Sequence, residues 1–202
     1  MRRKAEILDA AAVVFAANGF ACAQVQTIAD RLGVGNGTIY RYFPTKDALF
    51  LAAVQRGLSE LTEAIDPLMD ADRDPVETVR RVVREYLAFF YRRPEMAELF
   101  IQERAAFPLQ HRPLYFATRD DDGKVDKRGE LFRKLVETRR VRPMPPERFF
   151  SVIGDLLYGT ILTNLLSGRP VNPDTQADDV LDVIFHGVFT DSERDAQRKA
   201  QA

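Results

Sequence analysis

The sequence predicts an all-α chain of about nine helices. Apolar residues recur at helical spacing in segment after segment, Pro and Gly fall at the breaks between segments, and no internal repeat or β-hairpin signature interrupts the pattern. The chain has 202 residues, of which 46% are hydrophobic, enough for one large domain or two small ones with a real core.

The first helix is expected over residues 2–17, with Ile7, Leu8, Ala11, Val14 and Phe15 on its apolar side and Asn18-Gly19 as a stop. In the next segment Val25, Ile28, Ala29 and Leu32 fall at i, i+3, i+4 and i+7. Gly33 follows, where a helix end most easily takes a left-handed residue. Gly35 and Asn36 open a third short helix that buries Ile39 and Phe43 and stops at Pro44, because the residue before proline is pushed out of the α region. Thr45 is a good N-cap for a fourth, long helix running to about residue 66, with Phe50, Val54, Gly57, Leu58, Leu61 and Ile65 as its stripe. Residues 69–74 read as a polar connector.

Asp74-Pro75 opens the fifth helix, an N-cap followed by a first-turn proline. Its apolar line is Val76, Val79, Val83, Tyr86, Leu87 and Phe90, with Arg80, Arg81 and Arg84 read as a solvated face. The sixth helix starts at Pro94 and closes at Pro108. Residues 109–129 hold packed-looking Leu114, Tyr115 and Phe116 and then a polar break. Further helices are expected over 130–140, 147–166 and 176–189, the last two apolar over much of their circumference.

The stretch 24–50 organises the chain. Its third helix leaves Asn36, Thr38, Tyr40, Arg41 and Tyr42 outside, hydrogen-bonding, aromatic and cationic side chains on a helix short enough to lie in a DNA major groove. Residues 1–50 carry six Lys/Arg and four Asp/Glu, net +2, in a chain of net charge −1; a mildly basic head on an acidic body suits one DNA-facing end.

The order and spacing of IADRLGV, GTIYRYF and PTKDALF resemble the DNA-binding domain of TetR-type (TetR/AcrR-like) transcriptional regulators. The resemblance covers the first quarter of the chain. It implies an N-terminal three-helix helix-turn-helix DNA-binding domain (1–50), a larger helical effector-binding and dimerisation domain (51–190) and a polar C-terminal tail (191–202). By position it implies DNA contacts from Gln26, Thr27, Asn36, Gly37, Thr38, Tyr40, Tyr42 and Lys46. Asn36 suits bidentate pairing with adenine and the Thr38 methyl suits a thymine methyl, while Tyr40, Tyr42 and Lys46 suit phosphates. Two departures stand out: Gln24 occupies a position where the family usually has Ser or Thr as a cap, and Gly35 one where it often has Ser.

In the body, Tyr86, Phe90, Phe100, Glu103, Phe107 and Tyr158 are candidate ligand-binding residues, although each aromatic also fits plain core and Glu103 also fits an internal salt bridge. The resemblance implies a homodimer in which the last two helices pair across a twofold, with Tyr158, Leu162, Val180 and Ile184 as candidate dimerisation residues. His111 and His186 lie far apart with no Cys near either, so no metal is expected, and no cofactor motif is present. The single cysteine, Cys22, excludes an internal disulfide and points to a reducing compartment. The charged start is unlike a signal peptide and no run of 18 apolar residues occurs, so a cytoplasmic protein with no membrane partner is expected.

The expectation is therefore a ligand-responsive, sequence-specific DNA-binding repressor rather than an enzyme, acting as a homodimer on palindromic double-stranded operator DNA and released by a mostly apolar small-molecule effector. Control by a protein partner or by no ligand stays open. So does a different class, a helical enzyme with an appended DNA-binding head, although no nucleophile elbow, phosphate loop or telling carboxylate pair is present.

Overall fold

The computed structural model describes residues 2–69, 73–107, 127–168 and 171–187. Among them lie nine α-helices, one 3₁₀ turn and no strand, as the periodicity predicts. The helices are α1 (Arg2–Cys22), α2 (Val25–Arg31), α3 (Asn36–Tyr42), α4 (Lys46–Ile65), α5 (Pro75–Arg92), α6 (Pro94–Ala106), α7 (Lys127–Glu137), α8 (Pro146–Ser167) and α9 (Pro173–His186). The expectations for 70–72, for Leu114, Tyr115, Phe116, His111 and the rest of 108–126, for Val188 and Phe189, and for the tail fall outside the described residues.

Several boundaries differ from the sequence reading, each for a local reason. The expected stop at Asn18-Gly19 is a break inside α1: Gly19 adopts φ 73°, ψ 152°, and a further turn follows it. The Asn18 amide donates to the Val14 carbonyl at 2.9 Å, and Ala23 N bonds Gly19 O at 3.0 Å to restart the helix. The fourth helix does end where expected, at Ile65 with Asp66 as its C-cap, but a 3₁₀ turn, Asp66–Leu68, carries Pro67 on from it. Helix α7 lies about a turn earlier than expected, and Arg139 beyond it takes a positive φ of 56°. Helix α9 begins at Pro173 rather than at 176 because Asn172 caps it, accepting from Asp174 N at 2.9 Å and Thr175 N at 3.1 Å.

Other ends follow the sequence. Thr45 Oγ1 accepts from Ala48 N at 3.0 Å, and Asp74 Oδ1 accepts from Val76 N at 2.9 Å and Glu77 N at 3.0 Å. The bond from the Glu77 amide, helped by Arg140, holds the Asp74 carboxyl below its usual range. Gln24 makes no side-chain cap bond, as its departure from Ser or Thr suggests.

Burying Ile7, Phe15, Ile28, Ile39 and Phe50 completely removes some of the largest apolar side chains of α1–α4 from water, each worth about 1.5–3 kcal/mol. That cluster does not end at the head. Buried residues from α1 to α9 form one contiguous core, and α6 packs along α1. Gln102 Nε2 on α6 donates to the Phe15 carbonyl at 3.0 Å, and the Phe107 ring lies 5.2 Å from Phe20 and 5.9 Å from Phe50. Beside this seam, Asp9 of α1 pairs with Arg56 of α4 at 3.0 Å, Arg56 with Glu60 at 3.0 Å, and Glu60 with Arg93 at the α5–α6 corner. Helices α4 and α6 come close at Gly57, where an added Cβ would lie 2.1 Å from Met96 Cε.

The arginines of α5 are not a solvated face. Arg84 pairs with Asp178 of α9 at 2.7 Å, and Arg80 lies 4.6 Å over the Phe185 ring. Helices α8 and α9 are tied by reciprocal amide bonds between Asn164 and Gln176 at 2.7 and 3.0 Å.

Candidate nucleic-acid interface

Helix α3 has seven residues and buries only Ile39 completely; Phe43 just beyond it is also buried. These two, four apart, pin one face of the helix to the head core and turn the rest outward. Tyr40 is 45% and Tyr42 38% exposed, and the Arg41 guanidinium lies 5.5 Å from the Tyr42 ring centre. Gly37 is exposed, and a Cβ built there would meet no atom within 4 Å. Helix α2 packs against α3 and carries Gln26 and Thr27, both exposed. The turn between them is set by Gly33 at φ 65°.

Two predicted contacts have partners inside the head. Asn36 Nδ2 donates to Gln26 Oε1 at 2.6 Å, and Gln26 Nε2 donates to Asp30 Oδ1 at 2.6 Å. Asn36 is thus engaged with α2 rather than free to pair bidentately. Lys46 Nζ donates to the Ala21 carbonyl at 2.9 Å and sits 5.0 Å from the Phe20 ring. An ammonium has three donors, so two remain. Neither arrangement is marked in the sequence, since the partners lie 10 and 25 residues away.

The predicted ligand aromatics Tyr86, Phe90, Phe100 and Phe107 belong to the one contiguous core, with Tyr158 packed against it. Tyr86, Phe90 and Phe100 pack together, with ring centres 5.1 and 5.8 Å apart in that order. Glu103 is buried on α6, and burial together with its carboxylate pushes the Tyr158 phenol of α8 up. Phe107 also meets Phe20 and Phe50 at the seam with the head. A shallow surface cleft opens elsewhere, between the start of α5 and α7, lined by Arg73, Thr78, Lys127, Glu130 and Lys134 among others. Its acid and two of its cations, Lys127, Glu130 and Lys134, lie on α7, and Arg73 stands in the connector just before α5.

Of the predicted dimerisation residues, Tyr158, Leu162, Val180 and Ile184 are all half-buried within the protomer. The apolar side chains that α8 and α9 leave in the open are others: Val152 at 61%, Leu166 at 76%, Val183 at 47%, and Leu156. By length and composition alone α1 and α8 could each cross a membrane. In α1 the apolar side chains fill the core; in α8 several lie open.

A short, outward-facing second helix braced on a first by a glycine turn defines a helix-turn-helix DNA-binding protein. Comparison with known proteins agrees. Residues 7–53 match the profile of the bacterial regulatory proteins of the tetR family. The nucleoid occlusion factor SlmA of Vibrio vulnificus is 30% identical over 142 residues, covering 69% of each chain. The transcriptional repressor KstR of Mycolicibacterium smegmatis is 26% identical over 165 residues, covering 82% of this chain and 76% of KstR. The transcriptional regulator FadR of Bacillus subtilis, solved in complex with stearoyl-CoA, shares the fold with a TM-score of 0.67 at 17% identity, covering 91% of this chain and 98% of that one. The chain belongs to the TetR family and is a DNA-binding transcriptional regulator, not an enzyme.

Proposed function

We propose that this protein is a homodimeric, sequence-specific repressor that leaves its operator when a mostly apolar small molecule binds the helical body. The observation that carries the reading is α3: it buries one side chain completely and carries exposed Gly37, Tyr40 and Tyr42 beside half-buried Thr38. Tyr40, Tyr42, Thr27 and the free donors of Lys46 are assigned to phosphates, which fix register, and Thr38 and the Gln26–Asn36 pair to base edges. Residues 1–50 serve as the DNA-reading part and 51–190 as the effector and dimerisation part. The open apolar side chains of α8 and α9 are assigned to the twofold, with half-buried Tyr158, Leu162, Val180 and Ile184 supporting them from behind.

For the effector, Tyr86, Phe90 and Phe100 supply apolar wall and Glu103 with Tyr158 a polar end. The acyl chain bound by FadR, a protein of the same fold, fits that chemistry. Transmission has two routes. Helix α4 runs from the Lys46 end into the body, and α6 carries both Phe100 and Glu103 and the Gln102 that holds Phe15 of the head. Coupling between two sites is reciprocal. A ligand found by thermal-shift screening of acyl-chain compounds should therefore bind more weakly when operator DNA is present, by the factor with which it weakens operator binding, typically about 5–150-fold. Equal calorimetric affinities with and without DNA would refute ligand-driven release.

A further inference from the structure

The polar side chains on the exposed side of α2 and α3 are not independent. Gln26 Nε2 donates to Asp30 Oδ1, and Gln26 Oε1 accepts from Asn36 Nδ2, each at 2.6 Å. This short relay crosses from α3 to α2, and its direction is set at one end. A carboxylate only accepts, so Gln26 turns its amino group to Asp30 and its carbonyl to Asn36. Asn36 must then turn its own amino group to Gln26, because the flipped amide would set two carbonyl oxygens against each other. The result leaves Asn36 Oδ1 enclosed by the protein with no hydrogen-bond partner. Enclosing an unsatisfied oxygen is unfavourable, so the orientation is not one that Asn36 would adopt by itself. Asp30 imposes it from two residues away along the relay.

That polarity decides what Asn36 can read. Bidentate pairing with adenine needs the amide to accept from N6 and donate to N7. Here the oxygen is enclosed, and the group left to offer a base is the second N–H. In the major groove guanine presents two adjacent acceptors, O6 and N7, and no donor; thymine presents one acceptor, O4, beside its methyl; adenine sets an amino group beside its N7 acceptor, and cytosine presents an amino group. We propose that Asp30, acting through Gln26, makes Asn36 a donor-only reader, so that the base it selects is guanine rather than adenine. This rests on the reading of α3 as the groove-facing helix. Asp30 is a positioning residue: it need not touch DNA.

The test is selection of binding sites from a randomised duplex library by the full-length protein and three variants, each first checked for an unchanged thermal melt. Asn36→Ala identifies the base pair whose preference depends on the relay. The parent should select guanine there. Asp30→Asn can donate as well as accept, which lets the relay reverse and turns lone pairs outward. It should admit adenine or cytosine at that base pair, lowering the guanine preference about tenfold, with every other position unchanged. Tyr42→Ala should weaken binding at all sites without altering the profile. An Asp30→Asn profile identical to the parent's, or a parent preference for adenine at the Asn36-dependent position, would overturn the inference while leaving the DNA-binding reading intact. Selection of no sequence at all by the parent would overturn both.

Discussion

Tyr42 shows what a single exposed side chain contributes. It is 38% exposed on a helix held by Ile39 and Phe43, so truncating it removes little packing. Tyr42→Ala should leave stability within about 0.5 kcal/mol of the parent, as exposed substitutions usually do. It should nevertheless weaken DNA binding to a similar extent on matched and mismatched duplexes, because a phosphate contact carries no base information. Gel-shift titrations on both duplexes check this; a loss confined to one sequence would move Tyr42 to the base-reading set. The outward placement of Tyr40 and Tyr42 was legible because spacing from two buried residues fixes it. The bonding of Asn36 and Lys46 was not. Each has a polar neighbour brought near only by tertiary folding, Gln26 on α2 and the Ala21 carbonyl at the end of α1. Helical periodicity says which side a residue faces, not which amide it finds there.

At the scale of helices, end chemistry was readable wherever a side chain next to the end provides it, as at Thr45 and Asp74. The Asn172-Pro173 start of α9 carries the same signature as Asp74-Pro75, an N-cap followed by a first-turn proline, and that signal could have placed the boundary. The break at Gly19 was readable, but not the turn beyond it, because that turn is held by Phe20 packing on Phe15 and Phe50. The fit of α4 on α6 also escapes sequence reasoning: Gly57 lies in the apolar stripe, but the reason for a residue with no side chain is Met96 across the interface. Gly57→Ala gains about 1 kcal/mol of helix propensity but forces fully buried Met96 aside, and overpacking costs about 1–3 kcal/mol. The substitution should therefore destabilise the parent slightly or leave it unchanged. With Met96→Ala in place it should stabilise, since both the clash and part of the cavity are removed. Denaturant unfolding of the four-member cycle checks the change of sign; equal effects in both backgrounds would mean that the two helices do not press on each other there.

Across the whole molecule, the all-α class and the helix-turn-helix were legible from periodicity and from three linked motifs. The attachment of head to body was only half legible. The continuity of α4 could be read along the chain, whereas the α1–α6 seam, with Gln102 on the Phe15 carbonyl and Phe107 among Phe20 and Phe50, joins segments some 90 residues apart. Nor did the apolar composition of α8 and α9 reveal which of their faces stays open. Val183 marks that face, and because it is already 47% exposed, Val183→Glu should not disturb the protomer. It should instead place a charge in the dimer seam and yield monomers on sedimentation, with helical content unchanged. The most direct test of a dimer reading DNA through α3 is a footprint on the duplex selected from a random library. The parent should protect two symmetric half-sites whose centres lie about one DNA turn, ~34 Å, or a multiple of it apart. Val183→Glu should lose that paired protection at the same protein concentration. Protection of one isolated half-site by the parent, or paired protection that persists in a monomeric Val183→Glu, would contradict the account.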